Sequence, residues 1–147
     1  MRRLCSIFFT LTIIFALFAA CDTTVKISDG TYRVEMAEFD INGYKDYVEF
    51  EIKGGKVVSL VANGYSKEDG SLKTESKEIR KMMESMSGTY PEKFYQDLIN
   101  EYISSSGKQT DVVAGATMSS ENFFHLMKFA ENAAKSGDTS IRIVELG

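Results

Sequence analysis

Alternating hydrophobic and polar residues in the first half of the chain predict three β-strands. The strands cover residues 31–39, 47–52 and 56–62, each with a period of two that is typical of a half-buried strand. Residues 40–43 have the composition of a turn, and the glycine pair at 54–55 predicts a tight hairpin. The three strands should therefore form an antiparallel meander.

Hydrophobic spacing in the second half of the chain changes to the helical period. A first helix should begin after Ser76, which has the chemistry of an N-cap, and end at Gly88. A second helix should open with Pro91, which is favoured at the first helical position, and end at Gly107. A third apolar stripe covers residues 123–134. The second half of the domain is therefore expected to be mainly helical.

The remaining segments complete the expected fold. Residues 63–75 are rich in glycine, serine and charge, which predicts a loop long enough to have a function. Short strands are predicted at residues 112–113, before the third helix, and at residues 140–146, after it. The fold class is α+β: an antiparallel meander and C-terminal strands packed against about three helices.

Three methionines in the first predicted helix have two interpretations. Met82, Met83 and Met86 share one helix face. They are either contacts for a flavin or a soft metal, or part of the hydrophobic core. The helical spacing favours core packing, because methionine commonly fills irregular gaps there.

The N-terminal residues have the features of an export signal. Two arginines precede an apolar run at residues 4–20, which is shorter than the ~20 residues of a spanning helix. Small residues precede Cys21, as a lipoprotein processing site requires. We expect residues 1–20 to be a cleaved signal peptide and residues 21–28 a tether lipidated on Cys21. The alternative is an uncleaved anchor helix, which leaves the domain exported and membrane-bound on the same side, at the cell surface or the periplasmic face.

Charge and reactive side chains exclude several functions for the mature chain. Removal of residues 1–20 takes away two arginines and no acid, which changes the formal net charge from -4 to about -6. An acidic surface repels nucleic acid, and the lipid anchor must then hold the protein at the membrane. Cys5 lies in the signal, Cys21 is the predicted lipid site, and His125 is the one histidine. No metal site or catalytic triad is expected, and His125 should face solvent or pack on its helix, with a flavin contact as the alternative.

Residues 111–120 carry the chemistry of a phosphate site. Small residues and hydroxyls lie where a strand is predicted to lead into a helix, and free N–H groups at a helix start attract an anion. The ordinary alternative is a strand-to-helix connection in which Gly115 makes the turn and Ser119 or Ser120 is the N-cap.

This segment resembles the motif of the FMN-binding domain family, in which a small-residue Gly-Ala-Thr turn follows an aspartate. Similarity also covers residues 29–32, 39–46 and 87–92, so it includes nearly the whole mature chain and points to single-domain bacterial flavin lipoproteins, among them spirochaete membrane immunogens. The resemblance implies that residues 29–147 are an FMN-binding domain. It also implies that a separate flavin transferase, using FAD and magnesium, esterifies Thr117 with the phosphate of FMN. The implied surrounding motif residues are Asp111, Ala114, Gly115, Ala116, Ser119 and Ser120. Ala114 departs from the serine or threonine of many relatives, which removes one hydroxyl.

The function implied by the resemblance is that of an extracytoplasmic electron carrier, not an enzyme. Its redox donor and acceptor are not identified by the sequence. Tyr44 and Tyr65 are candidates for stacking on the flavin ring, with ordinary core or surface positions as the alternative for each. Two other functions stay open: a flavin-free surface lipoprotein that acts as an antigen or ligand-binding module, and a noncovalent FMN binder.

Overall fold

Four strands form one mixed sheet in the computed structural model, which describes residues 27–108 and 112–145. The strands are β1 (Gly30–Met36), β2 (Tyr44–Lys53), β3 (Lys56–Ser66) and β4 (Arg142–Val144). Their order across the sheet is β3-β2-β1-β4. The first three strands pair antiparallel, which confirms the predicted meander, and β4 adds to β1 in parallel.

Three helices complete an α+β fold: α1 (Lys77–Ser87), α2 (Pro91–Ser104) and α3 (Thr117–Ser136). The predicted signals act as expected at α1 and at the start of α2, but the predicted end at Gly107 was wrong, because α2 ends at Ser104. The Ser76 side chain accepts a hydrogen bond from the Ile79 N–H, Gly88 ends α1 in the left-handed conformation, and Pro91 is the first residue of α2. Within the described residues, no helix combines the length and the apolar character that crossing a membrane would need.

The hydrophobic core lies between α2, α3 and one face of the sheet. Because side chains alternate along a strand, Val34, Val48 and Phe50 point to this face. They meet Leu98 from α2 and Leu126 from α3, and all five side chains are buried. The same alternation places Asp46 and Tyr44 on the helix side of β2, near the end of the sheet where α3 begins.

The opposite face of the sheet carries a partly buried cluster of charged and aromatic side chains. The Arg33 guanidinium lies 3.9 Å from the centre of the Tyr47 ring and forms an ion pair with Glu35. The Tyr65 hydroxyl donates to the other oxygen of the Glu35 carboxylate over 2.8 Å. Burial and this carboxylate raise the pKa of Tyr65 to about 12. These contacts stabilise the outer face without covering it.

The prediction of a loop over residues 63–75 was wrong at both ends of this segment. β3 continues to Ser66 because Asn63 and Gly64 pair with Tyr47 and Asp46 of β2, and the ladder holds this polar end. A short 3-10 helix then covers Lys73–Glu75. The polar composition concealed a strand end whose inward-facing residues are Gly64 and Ser66, which carry no hydrophobic signal.

Secondary structure around the motif also differs from the prediction. Residues 112 and 113 have irregular backbone, because the Val113 N–H and C=O are used by hydrogen bonds within the motif loop. The third helix begins at Thr117, six residues before the apolar stripe that predicted it. β4 is shorter than the predicted strand at 140–146, whose last residue lies outside the described residues.

Candidate functional site

A serine fixes the loop that leads into α3. The Ser120 side chain is fully buried, and its hydroxyl accepts a hydrogen bond from the Val113 N–H over 3.0 Å. The same hydroxyl donates to the Ala116 carbonyl over 2.8 Å. Ser120 therefore shapes the turn. Although it was predicted as a cofactor-binding residue, its hydrogen-bonding capacity is used within the protein.

Gly115 is required by the position of this loop against the end of α1. Its φ of +78° lies in the left-handed region that favours glycine. A Cβ at this position would lie 2.2 Å from the Cβ of Ser87. The neighbouring Ala114 is exposed and Ala116 is buried. Glycine therefore permits both the turn and the close approach of the loop to α1.

The start of α3 presents free donors at this loop. Ala116 is the N-cap and offers no side-chain cap, and the first turn contains no acidic residue. Among the described residues, the N–H groups of Thr117, Met118 and Ser119 have no backbone partner. The Thr117 side chain is exposed. In the described ranges, 27–108 and 112–145, no acidic side chain of the first turn and no N-cap side chain compensates the partial positive charge of this 20-residue helix beside the Thr117 hydroxyl.

A cavity of about 410 Å³ lies in front of this helix start. Its polar lining includes Thr117, Ser119 and Lys73. The stripe of Ile79, Met82, Met83 and Met86 on α1, called here the methionine face, forms its apolar wall. The size is within the usual range of small-molecule sites. We refer to this space as the motif cavity.

A second cavity, also about 410 Å³, adjoins the motif cavity. Tyr44, Phe39 and Met36 contribute its apolar lining, and Glu38 and Glu145 also line it. The two cavities share five lining residues: Asp40, Ile41, Asp46, Met118 and Asn122. We refer to this space as the tyrosine cavity.

A buried polar network forms the floor between the two cavities. The Asp46 carboxylate accepts hydrogen bonds from the Tyr95 hydroxyl over 2.8 Å and from the Asn122 amide over 3.0 Å. The Lys73 ammonium lies 3.4 Å from Asp46 Oδ1 and 3.2 Å from Asp40 Oδ2. Burial, followed by the charge of Asp46, raises the pKa of Tyr95 well above its usual value. Tyr95 is therefore a neutral donor to Asp46.

Lys73 connects this network to the helix start. Its ammonium also lies 3.4 Å from the Ser119 hydroxyl in the first turn of α3. Gly64 makes room for it, because a Cβ there would lie 2.9 Å from Asp46 Oδ1 and 3.3 Å from Lys73 Cδ. Sequence reasoning missed this network. One signal was present: the alternation of β2 places Asp46 on the inward face between Tyr44 and Val48.

The structure brings some predicted site residues together and separates others. Thr117, Gly115, Ala116 and Ser119 line the motif cavity. Tyr44 lines the tyrosine cavity and not the motif cavity. Tyr65 was a predicted candidate for contact with the flavin ring, but it lies on the opposite face of the sheet. It pairs with Lys45, which points away from the cavities because the neighbouring Tyr44 points inward. Asp111 and Cys21 lie outside the described residues.

Two other expectations concern His125 and the methionines. His125 Nε2 donates to the Glu145 carbonyl over 2.9 Å, and its ring contacts Phe129 on the same helix, as expected for a packing role. The preference for core packing is confirmed for Met83, which is partly buried against the core, and was wrong for Met82 and Met86, which are exposed and line the motif cavity. Helical spacing indicated a shared face correctly but not what that face contacts.

Comparison with known proteins identifies relatives of this chain. No family model matches the sequence. The 15 kDa lipoprotein of Treponema pallidum (strain Nichols) is 34% identical over 123 residues, which are 83% of this chain and 86% of that protein. This confirms the predicted relation to spirochaete lipoproteins. The crystal structure of the CPE2226 protein from Clostridium perfringens aligns with a TM-score of 0.76 and 30% identity, covering 82% of this chain and 99% of that one.

The Gly115 contact predicts a position-specific loss of stability. Gly43 is a matched control, because its φ of +77° is nearly the same and no atom lies within 4 Å of its added Cβ. Gly43→Ala should cost ~1 to 2 kcal/mol from the left-handed backbone alone. Gly115→Ala should cost a further ~1 to 3 kcal/mol, because the methyl group collides with Ser87. Urea unfolding of both variants measures the difference, and equal losses would contradict the close approach.

The Lys73 network predicts coupled effects in a double-mutant cycle. Lys73→Met should destabilise the protein by ~3 to 5 kcal/mol, because it leaves the buried Asp46 carboxylate without its ammonium. Asp46→Asn in the same chain should recover part of that loss, since the amide removes the unpaired charge. Unfolding free energies of the two single variants and the double variant test this coupling. Additive losses would show that the two charges do not interact.

Proposed function

Because the chain belongs to the family of the 15 kDa lipoprotein of Treponema pallidum, we propose that it is an exported, membrane-anchored flavoprotein. In this proposal Thr117 carries FMN through a phosphodiester, and the protein serves as an electron carrier. The observation that carries the proposal is the position of Thr117: an exposed hydroxyl at the uncapped start of α3, on the wall of the motif cavity.

The chemistry around Thr117 fits a phosphoryl group. Free N–H groups at a helix start donate to phosphate oxygens, and the helix dipole stabilises the anion by ~0.3 to 1 kcal/mol. Ser119 adds a hydroxyl, and Lys73 brings a positive charge within 3.4 Å of it. Interactions of this size orient the phosphate but do not retain a small cofactor, so a covalent bond would supply retention.

The attachment step requires a flavin transferase and FAD. The Thr117 oxygen attacks the phosphorus that bears the flavin half of FAD, a P–O bond forms, and the bond to the AMP half breaks. AMP leaves and the hydroxyl proton passes to a base on the transferase or to solvent. The exposure of Thr117 supports this route, because a second protein must reach the hydroxyl. Once attached, FMN supplies reversible electron uptake and release.

The protein's own contribution is then position, partial exclusion of water and electrostatics. Thr117 holds the cofactor and takes no part in electron transfer, so the protein is a carrier between a donor and an acceptor and not an enzyme. A covalent tether suits a protein outside the cytoplasm, because it keeps the effective concentration of cofactor high where free FMN would be diluted. A lipidated Cys21 would keep the carrier at the membrane.

The proposal predicts the behaviour of variants at Thr117. Protein made together with a flavin transferase should give a fluorescent band on a denaturing gel. Thr117→Ala should abolish the band, because it removes the acceptor oxygen, and Thr117→Ser should retain fluorescence because it keeps that oxygen. Ser119→Ala is the matched control in the same helix turn and should remain labelled.

Three results decide between the proposal and its alternatives. A band that survives Thr117→Ala would place the attachment elsewhere. Flavin that co-purifies but is lost in denaturant would identify a noncovalent FMN binder. Wild-type protein that acquires no flavin beside an active transferase would favour the flavin-free lipoprotein.

The lipid anchor has an independent test at Cys21. Cys21→Ala should block both signal cleavage and labelling with a radioactive fatty acid, because the thiol is the expected acylation site. Normal maturation and labelling of the variant would contradict the anchor at this residue. The flavin assay on the variant serves as the control, since loss of lipidation should leave Thr117 chemistry unchanged.

A further inference from the structure

The helix α1 carries an apolar stripe of which Met83 packs partly against the core, while Met82 and Met86 are exposed. None of its residues is buried, and Met86 and Met82 are 79% and 37% exposed. An amphipathic helix of a globular protein usually turns its apolar face to the core. The methionine face of α1 turns instead to the motif cavity.

Polar and loop contacts hold α1 in this position. The Arg80 guanidinium donates to Glu92 of α2 over 2.8 Å, and Ser87 at the other end lies against Gly115. The end of α1 is therefore fixed next to the loop that precedes Thr117. This arrangement keeps the methionine face and the Thr117 hydroxyl on walls of one cavity.

We propose that the methionine face is the contact surface for the flavin ring system joined to Thr117, an inference that rests on the proposed function. Methionine side chains are flexible and polarizable, and sulfur in contact with an aromatic ring is favourable. Met118 follows Thr117 directly and also lines the motif cavity, so thioether groups lie on both α1 and α3. A flat aromatic ring would then cover the stripe that the protein itself leaves open.

The charges of the two cavities favour this placement over the tyrosine cavity. Both contain Asp40 and Asp46, but Lys73 lines the motif cavity and not the tyrosine cavity. The tyrosine cavity has Glu38 and Glu145 in addition. A reduced flavin gains negative charge, which carboxylates oppose and an ammonium group stabilises. Tyr44 is therefore not assigned as the ring contact.

Oxidation of methionine by hydrogen peroxide tests this placement directly. The wild-type protein is prepared with and without a flavin transferase, and both samples are treated in the dark and analysed by peptide mass spectrometry. Met82, Met83 and Met86 should be oxidised several-fold more slowly in the flavinylated sample, because the ring covers their sulfur atoms. Met36 and Met127 are buried core residues and should stay unreactive in both samples.

The outcomes separate this inference from the proposed function. Full flavinylation with unchanged oxidation of Met82, Met83 and Met86 would overturn the placement while leaving the covalent attachment intact. Protection of Met118 alone would assign the ring to the tyrosine cavity, because Met118 lines both spaces. A sample that never acquires flavin overturns the attachment, and with it the placement.

A substitution gives a second readout. Changing Met82 and Met86 together to glutamine alters two exposed side chains, so the fold should persist. The variant should still be labelled at Thr117, but iodide should quench its flavin fluorescence several-fold more efficiently than in wild type. Equal quenching of the two flavinylated proteins would contradict contact between the ring and the methionine face.

Discussion

The buried carboxylate of Asp46 joins the sheet to α2, α3 and the short helix after β3. It lies on β2 and accepts hydrogen bonds from Tyr95 of α2 and Asn122 of α3, while Lys73 reaches it from the short helix after β3. A buried charge is costly unless it is paired and fully hydrogen-bonded, so these partners must all be present together. The position of the α3 start relative to the sheet depends on this arrangement, and so does the cavity in front of Thr117.

Two features of the site lower the stability of the folded protein in the absence of a ligand. Within the part of the chain that the structure describes, the N-cap residue Ala116 makes no side-chain cap at the start of α3, although a capping residue is commonly worth ~0.5 to 2 kcal/mol. Met82 and Met86 of the methionine face are left exposed outside the core. Free donors and an open apolar surface on walls of one cavity are complementary to a ligand with an anionic group and a flat aromatic part. FMN has both parts, which is why the site supports the proposed cofactor better than a purely structural role.

Sequence patterns predicted the parts of the fold that depend on local periodicity and end signals. The meander, the helix bounded by Ser76 and Gly88 and the helix opened by Pro91 follow from such signals. Properties that depend on distant partners were not predictable in this way. Lys73 lies in a segment of loop-like composition. Its side chain is nevertheless buried and paired with Asp40 and Asp46 at the site. Tyr65 has the same aromatic character as Tyr44, but strand register places it on the opposite face of the sheet.

The central claim is that Thr117 bears FMN through a phosphodiester. Tandem mass spectrometry of the tryptic peptide covering residues 109–128 is the most direct test, using wild-type protein made together with a flavin transferase. This peptide contains Thr110, Thr117, Ser119 and Ser120, so fragment ions distinguish the four hydroxyl groups. The peptide should carry the added mass of FMN less one water, located on Thr117. An unmodified peptide beside an active transferase, or the added mass on another of these residues, would contradict it.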